Sequence, residues 1–168
     1  MYKIIGAKGN IQNTNHFLDR LRIFSDKNSV IIQVFNAEVI YGKKHLISAF
    51  EHAKRAIEQK TNTTNSLEME ILLYAAGERQ LKLAIPKMGF KKGRSNLAII
   101  AVSKDKKIDQ IVEKLLSEFN LDRDDKLLEG DKNTLKKFGL NQKEIKTVAK
   151  AKYQDLILEK VAMVDIIK

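Results

Sequence analysis

Apolar residues along this chain fall partly into helical spacing and partly into short unbroken runs, which predicts a mixed series of helices and strands. Tyr2 to Ala7 reads as an edge or initial strand. Phe17, Leu18, Leu21 and Phe24 then mark one face of a helix from about Thr14 to Lys27. Val30 to Phe35 is a buried strand and Asn36-Ala37-Glu38 a corner, with Val39 to Tyr41 continuing extended. After Gly42, Leu46, Phe50, Ala53 and Ile57 line a helix to about Gln59, where Ala49 and Ala56 permit close packing. Lys60 to Asn65 is a polar loop. Asn65 and Glu68 have capping-box spacing for the next helix, whose face is Leu67, Ile71 and Tyr74. Gly77 suits a left-handed helix end. Leu81, Ala84, Ile85 and Met88 restart the helical period, and Pro86 should end or kink that helix near Ile85.

The second half continues in the same manner. Lys87 to Arg94 reads as a basic loop. Asn96 to Val102 is an apolar run with the pattern of a buried strand. Ile108, Ile111, Val112, Leu115, Leu116 and Phe119 define a helix from Lys106 to Phe119, and residues 120–134 are charged and irregular. Asp131 to Phe138 forms a short helix stopped by Gly139. Asn141 with Glu144 makes a further capping box, and with no Gly or Pro beyond it, helix can run from Gln142 to the C-terminus. In its last part Tyr153, Leu156, Ile157, Val161 and Val164 share an apolar face.

Composition narrows the class. The 168 residues suit one domain spanning 1–168, and 43% hydrophobic residues are enough for a core. Tryptophan and cysteine are absent, so the core is aliphatic with Phe and Tyr. Disulfides, thiol catalysis and cysteine-bound metals are excluded. No secretion signal or membrane-length apolar run is visible, which leads to the expectation of a cytoplasmic protein. A net charge of +10 favours a polyanionic partner; the competing reading is a lysine-rich surface set by genome composition or high temperature.

The sequence carries few chemical motifs. Gly6-Ala7-Lys8-Gly9 matches the GXXG loop of KH modules, but it lacks the preceding helix, which leaves a glycine turn after a strand. His45 and His52, seven residues apart, stand two turns apart on a helix and do not make a metal pair. Asp122, Asp124 and Asp125 lack the EF-hand glycine and terminal glutamate. No nucleophile elbow, P-loop or kinase catalytic loop occurs. Arg79 either pairs with Glu68 or Glu70 or faces an anion at the amide groups of the next helix. No catalytic, metal or cofactor residue is therefore assigned.

The strings EILLYAAGERQLKLAI and MGF, preceded by IQVFNAEVIYGKKHLISAFEHA, resemble the small kinase-binding subunit of the KEOPS complex, the family of animal TPRKB, in its archaeal form. The similar segments cover roughly residues 31–102, and the C-terminal third matches least. The resemblance implies a mixed α/β domain with a central, largely antiparallel sheet flanked by helices. It also implies a non-catalytic regulatory subunit that binds the complex's atypical kinase, and through it the other subunits. Archaeal members are taken to bind the 3′ CCA end of tRNA. Catalysis of threonylcarbamoyladenosine formation belongs to the neighbouring threonylcarbamoyl-transferase subunit.

On that footing, Lys60, Asn65, Arg79, Lys91, Lys92 and Arg94 are expected to form the tRNA-binding surface. Tyr74 is either a base stacker or a core residue. Tyr153, Leu156, Ile157, Val161 and Val164 either dock the kinase or close the domain's own core. The competing functions are a small motif-poor enzyme acting on a nucleotide and a protein-interaction module that does not bind RNA.

Overall fold

A computed structural model describes residues 1–167. Its regular elements are β1 (Tyr2–Ile11), α1 (Thr14–Asn28), β2 (Ile31–Asn36), α2 (Gly42–Glu58), α3 (Leu67–Ala76), α4 (Leu81–Met88), β3 (Gly93–Val102), α5 (Ile108–Glu118), β4 (Asp122–Arg123), α6 (Lys132–Phe138), α7 (Gln142–Lys146) and α8 (Tyr153–Ile167). The fold is mixed α/β with an antiparallel sheet, as the sequence led us to expect. Two compact units are present: Met1–Ala37 with Phe90–Leu127, and Glu38–Gly89 with Leu128–Lys168.

The first unit holds the sheet, in the order β2-β3-β1-β4. β1 pairs along its whole length with β3, Tyr2 opposite Val102 and Ile11 opposite Gly93. Ile5, Ala7 and Ile11 share a core with Ile32, Val34, Leu97, Ile99 and Ala101. The same cluster takes Phe17, Leu21 and Phe24 from α1 and Val112, Leu115 and Leu116 from α5. Their alternate neighbours Ile4, Ala98 and Ile100 are buried too, which is why β3 reads as an unbroken apolar run rather than an alternating one. Without tryptophan, aromatic density comes from phenylalanine: Phe17 meets Phe90 and Phe119 edge-on at 5.2 and 5.3 Å.

Three expectations change here. β1 is the initial strand, the second of its two readings, lies inside the sheet and runs four residues beyond Ala7. The glycines of the GXXG string are therefore strand residues, not a turn. A Cβ on Gly6 would lie 2.4 Å from the Asp124 carbonyl oxygen, and one on Gly9 2.3 Å from Leu121 Cδ2. Close approach of the Asp124 backbone requires a glycine at Gly6, whereas at Gly9 the contact is the end of the Leu121 side chain. β3 begins at Gly93, so Arg94 sits in the strand and the basic loop shortens to residues 89–92. Two of the three aspartates are ion-paired, Asp124 to Lys8 at 3.0 Å and Asp125 to Arg123 at 3.0 Å.

The second unit is helical. α3 packs against α2, α4 and α8, and every residue from Glu70 to Ala76 is buried, the condition of a helix apolar nearly all round. Ala49, Ala53 and Ala56 on α2 are buried, and small residues there let the α2 and α3 backbones approach. The cap of α3 is Ser66, which accepts from the Met69 amide, one residue later than the Asn65 box predicted. Gly77 takes the expected left-handed conformation at φ 66°. α4 continues through Pro86 to Met88. The proline removes one intrahelical donor, but Ala84 and Met88 are buried on either side of it, and packing outweighs one lost bond. Val39 to Tyr41 does not extend as a strand; residues 37–39 form a 3₁₀ turn. The continuous C-terminal helix is also corrected. α7 ends at Lys146, Ala149 is extended at ψ 158°, and a 3₁₀ turn at 150–152 precedes α8. Thr147 and Val148, β-branched residues of low helix propensity, sit at the break.

Candidate functional site

The second unit carries a pocket of about 690 Å³ lined by Arg55, Ala56, Gln59, Thr61, Thr63 and Asp165. Local sequence chemistry builds its wall. α2 ends in a Schellman-type turn, in which the Thr61 amide donates to the Ala56 carbonyl at 2.8 Å. Lys60 holds the left-handed position at φ 60°, unusual for a residue with a side chain. The Thr- and Asn-rich loop that follows is pinned by Glu70, a fully buried carboxylate on α3. The Thr63 amide donates to it at 3.1 Å, the Thr64 amide at 2.9 Å and the Thr64 hydroxyl at 2.7 Å. A buried charge is tolerated when donors surround it this way. Asn62 Nδ2 closes the loop onto the Thr64 carbonyl at 2.8 Å.

Behind the pocket lies a polar cluster joining α2, α3 and α8. Tyr74 donates its hydroxyl to Asp165 Oδ1 at 2.5 Å, and the His52 ring stacks on Tyr74 with centroids 5.4 Å apart. His52 Nδ1 lies 2.8 Å from Asp165 Oδ2, and Arg55 Nη2 lies 3.0 Å from the same nitrogen. One nitrogen cannot donate and accept at once. The carboxylate contact places the proton on Nδ1, so Arg55 stands beside the ring as a neighbouring cation. Burial and the bond to Asp165 push the Tyr74 hydroxyl far up from its usual range. Burial pushes Asp165 up, but the hydrogen bonds from Tyr74 and His52 outweigh it and hold the carboxyl below the usual range. The pocket thus offers a guanidinium, an amide, two threonines and an ionised carboxylate. Its size is that of small-ligand sites, about 300–1,000 Å³.

The expected site residues fall as follows. Lys60 and Asn65 are exposed at the two ends of the loop that lines the pocket. Arg79 is exposed, and its guanidinium donates to the Ile167 carbonyl at the end of α8 at 2.9 Å. That is a helix C-terminal contact, different from the pairing with Glu68 or Glu70 that was one of its two readings. Lys91, Lys92 and Arg94 are exposed in the first unit. Tyr74 is fully buried, the core alternative of its two readings. Ile157, Val161 and Val164 are fully buried as well, on a helix packed against α2, α3 and α6, while Tyr153 and Leu156 are partly exposed. Sequence reading missed Arg55, Gln59, Thr61, Thr63 and Asp165. The i, i+3 spacing of His52 and Arg55 put both on one helix face, but nothing in the sequence brought Asp165 to them.

One buried group, His45, and one half-buried group, Lys87, are structural. His45 Nδ1 accepts from the Tyr41 amide at 3.0 Å, and its Nε2 proton goes to the Ala75 carbonyl at 2.8 Å. Burial lowers its pKa to about 4. Lys87 belongs to α4, not to a loop. Its ammonium donates to the Ala76 carbonyl at 2.7 Å and lies 3.9 Å above the Phe138 ring. Among the described residues no group of three His, Asp or Glu side chains is placed to hold a metal ion, and no helix is long and apolar enough to cross a membrane.

Comparison with known proteins gives two findings. A family model described as kinase binding protein CGI-121 matches residues 9–165. Regulatory protein Cgi121 of Methanocaldococcus jannaschii is 41% identical over 61 residues, covering 36% of this chain and 39% of that protein. The chain thus matches about two fifths of the length of that curated relative.

Proposed function

The chain belongs to the kinase binding protein CGI-121 family, and from that membership we propose that it is a non-catalytic regulatory subunit of the KEOPS complex. In this reading it docks on the complex's atypical kinase and holds the 3′ CCA end of tRNA. The threonylcarbamoyl-transferase subunit carries out the modification. The observation that carries the RNA half is the pocket beside Lys60 and Asn65. Arg55 and Lys60 suit a phosphate, while Gln59, the two threonines and Asp165 offer donors and acceptors to a base edge, as single-stranded recognition requires. The carboxylate in its wall is bonded by Tyr74 and His52 rather than set against a nucleophile, which favours binding over hydrolysis.

The kinase half rests on α8. Beside Tyr153 and Leu156, its end exposes Met163 at 39%, Ile166 at 74% and Ile167 at 38%, an apolar surface of the kind that anchors partners. The experiment is tRNA binding by the purified chain, with intact tRNA and with tRNA lacking CCA. Loss of the three nucleotides is expected to weaken binding at least about tenfold, the scale of one to a few base contacts. Equal affinities for the two RNAs overturn the RNA half of the reading.

A further inference from the structure

Residues 131–152 hold seven lysines and no arginine, with Asp131 and Glu144 as the acids. Both acids are occupied within the unit: Asp131 caps α6 by accepting from the Thr134 amide, and Glu144 pairs with Lys160 at 2.9 Å. Lys137 pairs with Glu38 at 3.4 Å and Lys152 approaches Asp155 at 3.9 Å. Lys132, Lys136, Lys143, Lys146 and Lys150 are all exposed, and none has a carboxylate partner among the described residues.

Packing fixes where these lysines point. Thr134, Leu135 and Phe138 are the buried face of α6, and Ile145 is the buried residue of α7. On a helix turning 100° per residue, Lys132 and Lys136 lie opposite that face of α6, and Lys143 opposite Ile145. Capping boxes at Asp131 and Asn141 fix both short helices. α6 packs on α7 and α8, and α8 on the 150–152 turn, so one scaffold presents all five. The one aromatic within residues 131–152, Phe138, is buried, and Tyr153, which caps the 150–152 turn, is partly exposed at its edge. The surface therefore offers mainly point charges for phosphates, with the exposed amides of Asn133 and Gln142 between them.

We propose that the outer faces of α6, α7 and the 150–152 turn form a second RNA contact, a sequence-independent lysine surface for the phosphate backbone of a duplex. The proposal rests on the reading of this chain as an RNA-binding protein, but it uses none of the pocket residues. A duplex backbone fits better than a single strand, because the surface offers repeated cations and, apart from the partly exposed Tyr153 at its edge, no row of aromatic platforms to hold unpaired bases.

The test is binding of the full chain to a blunt-ended RNA hairpin with no single-stranded terminus, followed by fluorescence anisotropy over a range of salt. The comparison variant carries Lys132→Gln, Lys136→Gln, Lys143→Gln, Lys146→Gln and Lys150→Gln together. Removing one lysine–phosphate pair flattens the dependence of log affinity on log salt by about 0.9, so the quintuple variant is expected to flatten it by up to about 4.5. The pairs Lys132→Gln with Lys136→Gln, and Lys143→Gln with Lys146→Gln, should each flatten it by about 1.8, which keeps the test decisive if the quintuple variant does not fold. Replacing the five with arginine should retain binding. Arg55→Ala, in the pocket, should leave hairpin binding within about twofold, so failure of the pocket reading and failure of this one give different patterns. An unchanged salt slope in the lysine variants overturns the proposal. So does a wild-type chain that ignores the hairpin but is retained by poly-glutamate, which would assign the surface to an acidic protein.

Discussion

His45 shows how a single residue couples the fold to solution conditions. Its ring is enclosed by Tyr41, Ala75 and Phe138, and the neutral form alone satisfies both nitrogens. Protonating Nδ1 would set a donor against the Tyr41 amide. Burial lowers its pKa from 6.5 to about 4, so the unfolded chain binds the proton more readily. Stability is therefore full above pH 6.5 and falls as the pH drops toward 4. At about 1.4 kcal/mol per pH unit, a drop to pH 4.5 should cost roughly 2–3 kcal/mol. Asp124, Asp165 and Glu144, all held below the usual carboxylate range, lose their contribution only at lower pH and do not interfere in this window. Urea unfolding at pH 7 and pH 4.5 measures the loss, and His45→Gln should flatten the profile. A wild-type profile already flat over that interval would contradict the assignment. From sequence, the spacing of His45 and His52 told only that they do not share a metal; the burial of His45 came from the structure. Glu70 was no more legible: nothing in its spacing told that a loop of threonines would wrap it.

At the scale of elements, periodicity located the helices well wherever one face was apolar. α1, α2 and α5 lie within two residues of their expected ends, Asn141 caps α7 and Gly139 stops α6 as expected, and Asp131, read as the first helical residue, is the cap of α6. It failed where two principles competed. Packing of α4 carried the helix past Pro86, and two β-branched residues broke what looked like one long C-terminal helix. α8 is also where the apolar face divides in two. Ile157 is fully buried, so Ile157→Ala should cost about 2–4 kcal/mol of stability through the cavity it leaves. Leu156 is only partly buried. Leu156→Asp should leave the thermal midpoint nearly unchanged while weakening capture of the partner kinase by at least about tenfold, the worth of an apolar anchor. Differential scanning fluorimetry and co-purification separate the two outcomes. Undiminished kinase capture by folded Leu156→Asp would remove α8 from the docking surface.

For the molecule as a whole, strand order was beyond the sequence. β1 and β3 are equally apolar, and only the pairing shows β1 between β3 and β4. The two-segment makeup of each unit was likewise hidden, because residues far apart in the chain complete each core. The same reason concealed the pocket, since Arg55 and Asp165 are separated by most of the second unit's sequence. Whether that pocket receives the end of tRNA, as proposed, is tested most directly by a cycle of one substitution and one RNA deletion. Wild-type chain and Arg55→Ala are each titrated with intact tRNA and with tRNA lacking CCA. If Arg55 meets the CCA end, each change alone weakens binding and the two together weaken it little further, a coupling of about 1 kcal/mol or more. If the losses simply add, Arg55 and the CCA end act at separate places, and the pocket is not where this protein holds its RNA.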